Sequence, residues 1–283
     1  MNNRLFDISD KVIAVTGAAG VLYGSISRAL AEHGAKVAML DIVEDKVKDM
    51  AQEISSSGAG NAIGIKSSVL DPESMKAALN ETVSNFGRCD ALINGAGGNR
   101  KGATVPPDGD FTGMELDELA KVFELNYRGT VLPSQIFCRY FAETGRGIII
   151  NTSSMSALAP LTNVCGYSNA KAAVTNFTRW LSVQVRVDFP EADIRVNEIA
   201  PGFFDTTQNH FLLFKEDNKT LTPRGHSIIS HTPMGRFGDP DELLGPIVML
   251  LSDAGSFMNG TTICIDGGFD AYSGVGPLDE KKD

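Results

Sequence analysis

Seven short apolar runs punctuate the chain: VIAVT (12–16), VAML (37–40), AIGI (62–65), ALIN (91–94), GIIIN (147–151), IRVNEI (194–199) and TICID (262–266). They are rich in β-branched residues and do not alternate with polar ones, as expected of strands covered on both faces of a parallel sheet. Helical patterns fill the gaps. After the fifth run, Ala170, Val174, Phe177 and Leu181 recur at helical spacing, while Thr175, Thr178 and Arg179 fall away from that stripe. Strands alternating with helix-length connections predict an α/β fold, a single Rossmann-type doubly wound domain over 1–283, with a seven-stranded parallel sheet and helices on both faces. No linker, repeat or low-complexity tract interrupts it.

Two segments break the alternation. Residues 98–113, GNRKGATVPPDGDFTG, follow the fourth run, and a longer excursion, 202–235, follows the sixth. Loops of this length in a compact domain are usually functional or disordered, and departure from carboxyl ends of strands, where open α/β sheets bind ligands, favours function. The formal net charge of −10 argues against nucleic acid or an anionic membrane as partner. No apolar run approaches the roughly 20 residues of a membrane helix, and the start has no signal-peptide pattern. The spacing of Cys89, Cys138, Cys165 and Cys264 fits neither a CxxC motif nor a disulfide framework, which points to a reducing cytoplasm. His33, His210, His226 and His231 have no metal-ligand spacing, so no metal is expected.

The first strand runs into TGAAGVLYG (16–24) and then a helical pattern. Glycines there let backbone approach a pyrophosphate at the helix N-terminus. The second strand ends in Asp41, 24 positions after Gly17. An acid at this place accepts hydrogen bonds from a ribose 2′-OH and repels a 2′-phosphate, favouring NAD over NADP; the alternative for Asp41 is a helix N-cap. In CGYSNAKAA (165–173), Tyr167 and Lys171 stand four apart, on one face of a helix. An ammonium beside a phenol favours the phenolate, which would make Tyr167 a usable acid or base; alternatively the two are a surface pair. Ser154 alone reads equally as a helix cap, and Asn126 alone as a satisfied core amide.

Together these residues resemble the short-chain dehydrogenase/reductase family over nearly the whole sequence. The likeness is carried by the glycine turn, NGAG (94–97), Asn126 in FELNYRG, Ser154 in INTSSMS, Tyr167 and Lys171 in YSNAK, PG (201–202) followed by Thr206, and DGG (266–268). Val21 and Tyr23 stand where the family's T-G-x-x-x-G-x-G has its second and third glycines. Ser68 stands at a place often held by an acid, and Gly95 replaces the second asparagine of N-N-A-G. GVLYG, GAGGN (95–99), PGFFDTTQN, TPMGRFGDPDELLG and DGGFDAYSGV are similar to one subgroup of that family, the D-mannonate oxidoreductases, also called fructuronate reductases.

The resemblance implies an NAD-dependent enzyme of hexuronate catabolism that interconverts a ketohexuronate and an aldonate, specifically D-fructuronate and D-mannonate. It assigns Tyr167 as general acid/base, Lys171 to lower its pKa and hold the nicotinamide ribose, Ser154 to bind the reacting oxygen, and Asn126 to hold a relay water. It assigns the cofactor to Gly17, Gly20, Leu22, Asp41, Ser68, Val69, Asn94, Ala96, Gly97, Tyr167, Lys171, Pro201, Gly202 and Thr206. A sugar acid needs a cation and hydroxyl partners. Asn99, Arg100, Lys101, Ser154, Gln208 and Asn209 are the candidates, with Arg224 and Arg236 behind them; each cation reads otherwise as solvated surface. The alternatives are a dehydrogenase of a neutral polyol or other keto acid, and a non-catalytic NAD-binding sensor on the same fold. The family also implies a homo-oligomer, a tetramer.

Overall fold

The computed structural model describes residues 5–106, 108–206, 210–217 and 219–275, without the side chains of 211 and 212. Seven strands form one parallel sheet: β1 (Val12–Thr16), β2 (Lys36–Asp41), β3 (Asn61–Lys66), β4 (Ala91–Asn94), β5 (Arg146–Thr152), β6 (Asp193–Pro201) and β7 (Thr262–Ile265). Their order is β3-β2-β1-β4-β5-β6-β7. The expected architecture holds, and each apolar run lies within or beside its strand.

The sheet separates two cores because successive side groups of a strand point to opposite faces. Ile13 and Val15 of β1, Val37 and Met39 of β2, and Ile148 and Ile150 of β5 enter one core. They meet α1 (Val21–Glu32) and α2 (Glu44–Ser56) there. Ala14, Ala38, Leu40 and Ile149 enter the other, against α3 (Pro72–Phe86), α5 (Gly129–Thr144) and α6 (Cys165–Asp188), while α4 (Leu116–Phe123) packs on α6. Local chemistry fixes the ends. Asp71 caps α3 by accepting the N–H groups of Glu73 and Ser74, Pro72 opens the helix, and Gly87 closes it in the left-handed region.

The 24-residue α6 carries the apolar stripe as expected, with Ala170 and Val174 wholly buried. The residues that leave the stripe do not all face water. Thr175 and Thr178 are also buried, and their hydroxyls bond within the interior. The excursion after β6 folds into α7 (His210–Leu213) and α8 (Pro223–His231), before α9 (Leu244–Leu251) returns to the first core. The loop after β4 holds two 3-10 turns, Lys101–Ala103 and Phe111–Gly113. Among the described residues no helix is long and apolar enough to cross a membrane.

Candidate active site

Strand order reverses between β1 and β4, so the connections leaving their carboxyl ends diverge and open a crevice. A cleft of about 600 Å³, open to solvent, lies there. At one end is the glycine turn. Gly17 sits at φ +70°, and a Cβ on it would lie 2.8 Å from Ala96 Cα, so the turn packs against the β4 loop only as glycine. Gly20 is the N-cap of α1 and supplies no side-chain acceptor. The first-turn N–H groups and the positive end of the helix dipole therefore stand at the cleft wall, where Gly20, Val21 and Leu22 are exposed to it.

Asp41 lines the same cleft. Its Oδ2 accepts the Ala19 N–H at 3.0 Å and its Oδ1 the Val43 N–H at 2.9 Å. Helix α2 has Val43, not Asp41, at its N-cap, so the capping alternative does not describe this carboxylate; it braces the glycine turn against β2. Ser67, Ser68 and Val69 follow along the wall, and the buried Ser67 Oγ has no hydrogen-bond partner among the described residues. Ala96, Gly97, Pro201, Gly202 and Thr206 line it too. Asn94 does not. Its side chain is buried and its Nδ2 donates to Asn151 Oδ1 at 2.8 Å and Ser134 Oγ at 3.0 Å, a brace inside the sheet rather than a ligand contact.

Across the cleft, β5 delivers Ser154 and the first turns of α6 deliver Tyr167 and Lys171. The predicted one-turn pairing is present, with Lys171 Nζ 5.6 Å from the centre of the Tyr167 ring. Nζ donates to the Thr152 carbonyl at 2.9 Å. Ser154 caps a 3-10 turn, as one alternative held, and also hydrogen-bonds Tyr167. The expected electrostatics need correction. Burial pushes the Tyr167 phenol above its usual value, opposed by the Ser154 bond. Burial also brings the Lys171 ammonium down to about 8, opposed by the Glu198 charge. Burial is the larger cause of both shifts.

Asn126 lies in a π-helical turn, Glu124–Arg128, between α4 and α5. Its Oδ1 accepts the Gly98 N–H at 3.0 Å, and its Nδ2 donates to the Gly98 carbonyl at 2.7 Å and the Val122 carbonyl at 2.8 Å. The core-amide reading therefore describes its amide, which clamps the β4 loop and is fully engaged. A Cβ on Gly97 would lie 2.6 Å from Asn126 Oδ1 and 3.2 Å from Lys171 Nζ, so this amide and the ammonium close on the same glycine.

Of the substrate candidates among the described residues, Ser154 lines the cleft and the others do not. Asn99, Arg100 and Lys101 are exposed and outside the cleft wall, and Asn99 Nδ2 donates to Thr104 Oγ1 at 3.2 Å. Arg224 is exposed. Arg236 is held in a fork by Glu242 at 2.7 and 2.6 Å. Gln208 and Asn209 lie outside the described residues. Sequence reasoning missed Phe203 and Phe204 in the wall, and Lys46 beside Asp41. It also missed Glu198, a buried carboxylate on β6 that accepts Thr178 and Thr262 hydroxyls at 3.2 and 2.7 Å. An acid inside the apolar run IRVNEI was the available signal.

A family model described as enoyl-(acyl carrier protein) reductase matches residues 17–270. An uncharacterised oxidoreductase of Haemophilus influenzae is 43% identical over 282 residues, covering 95% of this chain and 96% of that protein. The Bacillus subtilis uncharacterised oxidoreductase UxuB is 43% identical over 278 residues, covering 95% and 98%. A crystal structure from Haemophilus influenza, provisionally named a D-mannonate oxidoreductase and solved with bound NAD, superposes with a TM-score of 0.86 at 41% identity, covering 95% of this chain and 98% of that one. By sequence, fold and cleft, this protein belongs to the short-chain dehydrogenase/reductase family.

Proposed function

We propose that the protein is an NAD-dependent oxidoreductase that interconverts a ketohexuronate and an aldonate, specifically D-fructuronate and D-mannonate. One observation carries the reading: Ser154, Tyr167 and Lys171 share a single cleft with the glycine turn and Asp41. The residues fit NAD. Gly17 leaves a cradle no side chain could share, Ser67 Oγ offers an unpaired polar atom, and Asp41 stands as the acid for a ribose hydroxyl. The bound nicotinamide supplies the hydride. Tyr167, kept protonated by burial, gives its proton to the ketone oxygen during reduction, and Ser154 holds that oxygen. Lys171 places positive charge beside the phenol and steadies the phenolate left behind. Asn126 keeps the Gly98 loop closed over this pair. The substrate assignment draws on the subgroup motifs and on the relative provisionally named for D-mannonate.

A neutral polyol is the second reading. The cations in the described wall are Lys46, beside Asp41, and Lys171, and no guanidinium is among them. An NADH-oxidation screen of fructuronate, tagaturonate and neutral ketoses decides between them. Turnover confined to the uronates supports the first reading; turnover of neutral ketoses alone overturns it. Tyr167→Phe should lose about 10²–10⁴-fold in turnover while still quenching on NADH binding, whereas a sensor would show no ketone-dependent oxidation at all. The exposed stripe of Trp180, Val183 and Val187 on α6 supports a homo-oligomer, a tetramer by family likeness, and the cysteine spacing supports the cytoplasm as its compartment.

A further inference from the structure

Two departures from the family pattern, Tyr23 for a glycine and Gly95 for an asparagine, meet in space. Tyr23 is 4% exposed, in the first turn of α1, and lines the cleft. A Cβ on Gly95 would lie 2.5 Å from Cγ and Cδ2 of the Tyr23 ring and 2.7 Å from the Thr16 carbonyl oxygen. Volume has moved from position 95 to position 23. The glycine at 95 leaves room for a phenol where the family pattern has no side chain.

The phenol is also connected. Its hydroxyl hydrogen-bonds Thr152 Oγ1. Thr152 ends β5, one residue before Ser153, and its carbonyl accepts Lys171 Nζ at 2.9 Å. One residue is thus held through its hydroxyl by α1 and holds the ammonium through its backbone. We propose that Tyr23 is a positioning residue for Lys171, acting through Thr152 and joining the cofactor turn to the proton-transfer pair.

The proposal rests on the reading of Tyr167 and Lys171 given above. Tyr23 does not itself move protons. Burial, opposed by the Thr152 bond, pushes its phenol well above the ordinary value, and it stays neutral at any working pH. The charged or titratable groups coupled to the pair among the described residues are Tyr23 from α1 and Glu198 from β6, with Arg179 of α6 acting on Glu198. Loosening Thr152 should let the ammonium drift from Tyr167 and make that phenol harder to ionise.

The test needs no substrate. Tyrosinate absorbance is titrated with saturating NAD, and the contribution of Tyr167 is isolated by subtracting the Tyr167→Phe protein. Tyr23→Phe keeps the ring and its packing and removes only the hydroxyl. It should move the Tyr167 midpoint upward by about half a pH unit or more. Thr152→Val should do the same, and the double variant should be no worse than either single one. Melting temperature and NAD affinity of each variant are measured alongside, to show that the cleft is intact. An unmoved midpoint in Tyr23→Phe, or two shifts that simply add, overturns the role of Tyr23. Absence of a distinct Tyr167 ionisation in the parent, or of NAD binding, overturns the underlying reading of the site instead.

Discussion

The two walls of the cleft are built on different principles. One is register. Gly17, Asp41, Ala96 and Ser154 each leave the end of a paired strand, and Tyr167 and Lys171 stand one turn apart near the start of a 24-residue helix. The other wall hangs from β6. The segment after Pro201 is tied by single bridges, Phe204 to Gly238 and Phe214 to Leu221, and by a small cluster of Met155, Leu213, Ile228 and Phe269. The first wall fixes where a hydride acceptor and a proton donor meet. The second is free to vary without disturbing the sheet, which is how one framework serves many substrates.

If that division is right, damage to the first wall should strike turnover or cofactor, and damage to the second should strike substrate affinity. Lys171→Met is the harshest test. Turnover should fall about 10²–10⁴-fold. The melting temperature should not fall, because a desolvated ammonium is replaced by an apolar group of similar length. A stable variant with normal turnover would erase the distinction. Asp41→Ala should follow. Losing a carboxylate at the ribose place should weaken NAD about 10–100-fold and narrow the preference against NADP, read from the two KM values.

The same division explains what the sequence disclosed. Strands, their order of appearance and the Tyr167–Lys171 pairing obey fixed periods, so seven apolar runs and one four-residue interval sufficed. Asn94 and Asn126 were in the expected places but do interior work: their amides satisfy buried carbonyls and hydroxyls, which a one-dimensional motif cannot separate from a ligand contact. Thr175 and Thr178 fall away from the apolar stripe because they are polar, yet they face Ser153, Asn151 and Glu198. Arg100 and Arg236 were chosen for charge alone. Whether an arginine is free depends on how the chain folds back on it, and Glu242, six residues on, already takes Arg236.

On the second wall, Phe269→Ala opens the cluster behind Met155, where Phe269 also packs on Phe203 and His231. Loss of this ring should destabilise the protein by about 3 kcal/mol. It should raise the KM of the ketone about tenfold while the dissociation constant for NAD stays within about twofold. Equal losses in both would mean the walls are one unit.

Glu198 gives the smallest expected effect and the sharpest sign. It lies beneath the first wall, and burial raises its pKa against the pull of the Thr262, Thr175 and Thr178 hydroxyls. A carboxyl raised on folding holds its proton longer in the native state than in the unfolded one. Between the ordinary value and the raised one the native state therefore binds more protons, and stability falls as pH climbs through that window. Above the window the full cost of the buried charge is present. Glu198→Gln removes that cost while its amide still serves the threonine hydroxyls, which rotate to donate or accept. The melting temperature of the glutamine protein relative to the parent should therefore rise as pH climbs above the ordinary carboxylate range, measured by calorimetry with NAD absent. A gap independent of pH would mean that Glu198 is not a strained charge, and that the first wall rests on neutral hydrogen bonds alone.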